Sequence, residues 1–222
     1  RGYDADKALE LCLQNANGPK SSRDGWKESA MLGYSPGNIS KTTENAYADF
    51  AIARLAEAMN QAEIAEEFDE RGRNWRNTFD PEAGWMRRKD REGKWMEFDG
   101  YTDGRGVLES TTLQQSFFVP HDVPGLMEAM GGREPFLEKI DILFQNMPDK
   151  GGEYPYGKPW GGYRSAQYTH DNEPVHFVAF MFNEAAAPWL TQKWSRYIAE
   201  KAYTLGPYGL VGNDDVGQMS AW

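Results

Sequence analysis

Ala48, Ile52, Leu55, Met59 and Ala62 recur at steps of three and four, which predicts the apolar stripe of a long helix following Ser40-Lys41-Thr42-Thr43. The pattern runs on through Ile64, Phe68 and Trp75 to Asp80-Pro81, where proline disfavours helical geometry at the residue before it. A break near Asn60-Gln61 makes this run a helical hairpin. Leu126 and Met130 mark a helix ending at Gly131-Gly132, and Pro135 opens another carrying Phe136, Ile140, Leu143 and Phe144. Val175, Val178, Met181 and Phe182 predict a helix after Pro174, ended before Pro188. Leu190, Trp194, Tyr197 and Ile198 predict the next, ended near Gly206-Pro207. The β signal is confined to two short runs, Trp85–Arg88 and Lys94–Phe98, around a turn containing Gly93. Paired helices joined by loops that carry the unusual residues point to an α/α toroid or a helical solenoid.

Composition narrows the chemistry. The 222 residues hold 24 basic and 34 acidic side chains, a net charge of −10, which excludes a basic groove for nucleic acid. No run of eighteen apolar residues is present to span a bilayer. The single cysteine, Cys12, excludes an intrachain disulfide framework and a cysteine zinc site. An aromatic content of 14%, with eight Trp, is that of a packed chain and not a disordered one. The stretch from Met147 to Tyr168 is a long loop rich in Gly, Pro, Tyr and Trp. The opening on Arg1-Gly2 and the stop at Trp222 both read as cuts within a domain.

Three clusters carry candidate chemistry. Glu109 stands just before the run 110–122 and serves either as a helix cap or as a general acid beside aromatic residues. His170-Asp171-Asn172-Glu173-Pro174 reads as a helix start, or as a set of hard oxygens suited to Ca²⁺. Asn213-Asp214-Asp215, flanked by Gly212 and Gly217, reads as a solvated acidic turn or as a turn presenting carboxylates to a ligand. Adjacent carboxylates repel, so one of the pair is held by a metal or a hydrogen bond while the other is available as a base. Two carboxylates on separate loops, with neither a Ser-His-Asp set nor a phosphate loop, fit glycoside hydrolysis.

Taken together, "SKTTENAYADFAIARLAEAM" at 40–59, "FDPEAGWMRR" at 79–88, "QQSFFVPHDVPGLMEAMGG" after Glu109, "HDNEP" at 170–174, "PWLTQKWSR" at 188–196 and "GLVGNDDVGQMSAW" at 209–222 resemble the family 92 glycoside hydrolases. That resemblance implies a calcium-dependent, inverting exo-α-mannosidase acting on mannose-containing glycans. It places the general acid at Glu109 and the general base at Asp215, beside Asp214 and Asn213. It places His170, Asn172, Glu173 and Gln218 at the sugar, and Ca²⁺ on Asn172, Glu173 and Asp215. The chain departs from the family pattern at Leu113 for a usual tryptophan, Gln115 for a usual tyrosine, Asp171 for a usual glycine, and Asn213 where some members have a second aspartate.

The expected fold is mainly α, an (α/α)₆ toroid with a small β-hairpin insertion near 84–98. Residues 1–222 form part of one such catalytic domain. The family's N-terminal β-sandwich has no counterpart in the sequence, and the helical segments fall short of a closed toroid, so missing segments are expected to pack on it. Family resemblance implies a secreted or periplasmic location. The competing readings are an inactive fragment, a weak carbohydrate-binding remnant, or another enzyme of the α/α-toroid class.

Overall fold

The break read at Asn60-Gln61 is real: Asn60 takes a left-handed φ of 59° and separates helix α3 (Ile39–Ala58) from α4 (Ala62–Gly72). The computed structural model describes residues 2–18, 21, 23, 25–145, 167–207 and 209–222. Most of the loop predicted between Met147 and Tyr168 lies outside the described residues. The chain divides into two compact units, one formed by residues 1–79 and 87–96, the other by 80–86 and 97–222.

The first unit is built on the α3–α4 hairpin, with α1 (Ala5–Asn17) and α2 (Trp26–Leu32) before it. Asp4 caps α1 by accepting from the Lys7 amide, and Asn38 caps α3 from the Lys41 amide. The sequence pattern misplaced the inner face of α3. Ala48 and Ala62 are exposed, and Leu55 and Met59 are only half-buried. Ile52 of the predicted stripe is buried, together with Ile39, Ser40, Thr42, Thr43, Ala46, Asp49, Ala53 and Ala56. Small side chains let neighbouring helices approach closely, so this face is selected by size as much as by hydropathy. Leu9, Ala16, Ile52, Ala53, Ala56 and Phe68 form its apolar core. Asp49 is buried there and accepts from Arg23 at 2.7 Å and Arg71 at 3.0 Å. The predicted hairpin narrows to a single antiparallel bridge, Lys89 to Trp95. The regular partner of strand β2 (Trp85–Met86) is β1 (Phe79–Asp80).

The second unit packs α6 (Val123–Ala129), α7 (Arg133–Gln145) and α9 (Pro188–Lys201) around irregular segments. Gly131 and Gly132, with φ of 97° and 106°, turn the chain between α6 and α7, a conformation that glycine adopts without steric cost. Phe136, Ile140, Leu143 and Phe144 of α7 are all buried, as their spacing predicts. The helix predicted after Pro174 is not continuous. Two 3₁₀ turns, Glu173–Val175 and Val178–Phe180, precede the four-residue α8 (Met181–Glu184). Its apolar residues Val175, Val178, Met181 and Phe182 are nonetheless buried, so the pattern reported burial correctly and helicity only in part.

An aromatic column crosses this unit. Trp194 stacks on Phe144 at 5.0 Å, Phe144 on Tyr168 at 5.1 Å, Tyr168 on His170 at 5.7 Å, and His170 on His176 at 4.4 Å. Offset ring pairs of this kind add about 0.5–1.5 kcal/mol each beyond the area they bury. The column ends at the segment that carries Asn172 and Glu173.

Candidate active site

Glu109 does not cap a helix. The cap of α5 (Thr112–Gln115) is Thr111, whose amide is met by the side chain of Gln114 at 3.0 Å. Glu109 sits before it with a left-handed φ of 47°, its side chain exposed. Its loop is fixed from behind: Thr112 donates to the Asp103 carbonyl and Leu113 to the Tyr101 carbonyl. Asp103 is buried and bonded by the Arg105 side chain and by the amides of Arg105 and Asp99. Burial alone pushes the Asp103 carboxyl up, but these hydrogen bonds and the Arg105 charge outweigh it and hold the group below its ordinary value.

The segment 170–173 arrives beside this loop. Asn172 occupies a helix-start position without capping it. Its side-chain Nδ2 donates instead to the Glu109 carbonyl at 2.8 Å, so one amide ties the second cluster to the first. Gln114 adds a second tie, donating to the Gln167 carbonyl at 2.9 Å and the Thr169 hydroxyl at 3.1 Å. Neither role was visible in the sequence, where Asn172 read as a cap or ligand and Gln114 carried no signal.

The third cluster closes on the same place. Gly212 packs against the backbone of Asp171 so tightly that an added Cβ would lie 3.0 Å from its carbonyl oxygen. Beyond it, Asp215, Val216 and Gly217 adopt consecutive left-handed φ values of 37°, 62° and 87°. Such a conformation is costly for a β-branched residue and persists only where the surroundings enforce it. Here α10 (Gln218–Ala221) enforces it, because the Asp214 carbonyl accepts from Gly217 at 3.0 Å and Met219 at 3.2 Å. The Asp214 carboxylate accepts from the Ser220 amide at 2.8 Å. Asp214 is therefore bonded to the backbone of its own turn, while its neighbour Asp215 is paired with Glu173.

The Glu173 carboxyl is hydrogen-bonded with Asp215 and lies within the field of Glu109. Burial first, then the charge and hydrogen bond of Asp215, and then the charge of Glu109 push its pKa above the ordinary glutamate value. Its Oε1 is buried with no hydrogen-bond partner. Two facing carboxyls and an orphaned oxygen call for either a shared proton or a cation. The paired carboxyls offer hard oxygens, and such groups fit Ca²⁺. Among the described residues, no group of three or more His, Cys, Asp or Glu stands ready to hold a metal ion. A cation here would thus take the remainder of its ligands from water, amide or hydroxyl oxygens.

His170 occupies a different place from the one expected of a substrate contact. It is fully buried, with Nδ1 2.8 Å from the Tyr168 hydroxyl and Nε2 2.7 Å from the Tyr203 hydroxyl. Burial, reinforced by His176, pushes its pKa down to about 3, so the ring is neutral. Gln218 and Asn213 are exposed beside Asp215, and the Gln218 amide nitrogen lies 3.4 Å from His176 Nδ1.

The chain belongs to the glycosyl hydrolase family 92 catalytic domain family, which it matches over residues 1–222. It is similar to the family GH92 α-mannosidase BT3965 from Bacteroides thetaiotaomicron, at 33% identity and a TM-score of 0.86, over 100% of this chain and 29% of that one. A likeness of 33% identity and TM-score 0.81 links it to the family GH92 inverting mannosidase BT2199 of the same organism, over 100% of this chain and 32% of that one. It also resembles an uncharacterized secreted glycosidase of Arthroderma benhamiae, at 24% identity over 83% of this chain and 24% of that protein. The chain thus spans about a quarter of the curated relative and under a third of these solved structures. Among the described residues no helix is long and apolar enough to cross a membrane.

Proposed function

We propose that the chain carries the reacting carboxylates of a secreted or periplasmic exo-α-mannosidase that removes terminal α-mannosides from glycans with inversion. The observation supporting this most directly is the bond from Asn172 to the Glu109 backbone, which ties the Glu109 loop to the segment whose Glu173 pairs with Asp215, in a chain of this family. Residues 1–222 serve as part of an (α/α)₆ toroid, on which further segments pack. Glu109 delivers its proton to the glycosidic oxygen as the bond to the leaving sugar breaks. Asp215 takes a proton from the water attacking the opposite face of the ring. Asp214 keeps Asp215 in place by accepting from the Ser220 amide, and Asn213 is exposed on the same turn. Gln218 retains its side-chain carbonyl oxygen for a sugar hydroxyl, its nitrogen being directed to His176.

Ca²⁺ would be held by Asn172, Glu173 and Asp215, and when bound it would supply a hard acceptor for adjacent sugar hydroxyls and favour a distorted ring. In this reading, Asn172 also keeps the acid in register, since its Nδ2 holds the Glu109 backbone.

The test is release of mannose from an α-mannoside by the 222-residue protein in Ca²⁺, followed by proton NMR of the first-formed sugar. Inversion yields β-mannose before mutarotation. Excess EDTA should abolish release, and added Ca²⁺ should restore it. Full activity in EDTA would remove the metal from the proposal, and α-mannose as first product would remove inversion. Mannoside binding without release would favour the sugar-binding reading.

A further inference from the structure

The two buried histidines carry an inference that rests on the proposed reading but goes beyond it. The Met219 carbonyl can only accept, so the Tyr203 hydroxyl, 2.8 Å away, spends its proton there. Tyr203 must then accept from His170, which places the His170 proton on Nε2 and leaves Nδ1 to accept from Tyr168. The same logic fixes His176. Its Nε2 lies 3.0 Å from the His170 carbonyl and must donate, so Nδ1 faces the Gln218 amide as acceptor. The Trp222 indole donates to the His176 carbonyl at 3.0 Å, closing the assembly. Each bond in this assembly joins or braces two stretches, 168–176 with Asn172 and Glu173, and 203–222 with Asp215.

We propose that His170 and His176, both locked as the Nε2–H tautomer, are positioning residues that hold the Asp215 turn in register with Glu173. The directionality is the device. The opposite tautomer sets a lone pair against the Tyr203 oxygen or the His170 carbonyl, and a ring flip puts carbon where the nitrogens stand, so a single arrangement satisfies all the partners. Tyr203 is the hinge pin of this arrangement, since its one hydroxyl serves both His170 and Met219.

Long-range ¹⁵N–¹H correlation of the uniformly labelled chain reads the tautomers directly, with signals assigned through His170→Gln and His176→Gln. Two Nε2–H patterns are expected; an Nδ1–H form or a tautomer mixture at either ring overturns the proposal. In Tyr203→Phe, which removes one oxygen without a change of shape, amide shifts should move in both 171–176 and 213–219. Shifts confined to 200–206 overturn the coupling. Where mannoside release is measurable, Tyr203→Phe should lower kcat roughly tenfold and leave KM within about twofold, because a misplaced base is felt only in the transition state. A wild-type kcat in that variant overturns the positioning role while leaving the mannosidase reading intact. His170→Gln keeps a donor towards Tyr203 and should retain more of kcat than His170→Ala; equal losses count against the relay. Should the unaltered chain release no mannose, the function proposed above fails, and the tautomer and shift patterns still decide this one.

Discussion

The α3–α4 hairpin and the site-bearing segments are stabilised in opposite ways. In the hairpin, residues repeat at helical spacing, small side chains allow close approach, and a buried ion pair sits at its inner face. In the site, α5 and α10 are only four residues long, and Glu109, Asp215 and Val216 lie in left-handed conformations. There the geometry is set by single hydrogen bonds between distant segments. Regular structure spreads its stability over many positions, whereas the site concentrates its order in a few bonds, each of which is open to test.

The sharpest break in the comparison comes from Glu109→Gln and Asp215→Asn. Both side chains are exposed, so thermal melting should stay near the parent while mannoside release falls by about 10²–10⁴, the usual worth of a general acid or base. A loss of activity matched by a loss of folded protein would undo the distinction. Asp49→Asn should do the reverse. It strands two arginines at a buried position and should cost about 3–5 kcal/mol in denaturant unfolding, with kcat per folded molecule unchanged.

Asp103 stands between these extremes. Removing its charge by Asp103→Asn weakens the bonds from Arg105 and should cost about 1–3 kcal/mol, read by the same unfolding curves. Its folded carboxyl titrates below the unfolded one, so its contribution is present above the ordinary aspartate range and is lost as pH falls through the lower, folded value. The Asn variant should therefore lose less stability than the parent between neutral and strongly acidic pH. The smallest effect is expected at Val216→Gly, which removes side-chain strain at a φ of 62° at the cost of a more flexible unfolded chain. A net gain of about 1 kcal/mol or less is expected, together with reduced kcat as the turn loosens. A clear loss of stability would show that Val216 is not strained.

Periodicity revealed the hairpin, its break at Asn60 and the buried face of α7, because each rests on repeated burial. It missed α1 and α2, and it misplaced the inner face of α3, where Thr42, Thr43 and Asp49 are buried in place of larger apolar residues. The three chemical clusters were legible as residue types at loop positions. Their wiring was not. Asn172 binding the Glu109 backbone and His170 reaching Tyr203 depend on atoms from segments tens of residues apart. One signal was present without being decisive: Gly212 beside the acidic triplet marks a close backbone approach, and its neighbour proves to be Asp171.

The aromatic column has a consequence for observation. His170 lies face to face with His176, both buried, and meets the edge of Trp222 at 4.6 Å. Circulating π electrons in these rings displace the resonances of the imidazole protons from the positions they hold in an unfolded chain. The site therefore has its own spectroscopic address. Ligand binding, metal loading or a loosened turn can be followed at those few protons in the intact protein, without a label attached and without waiting for turnover.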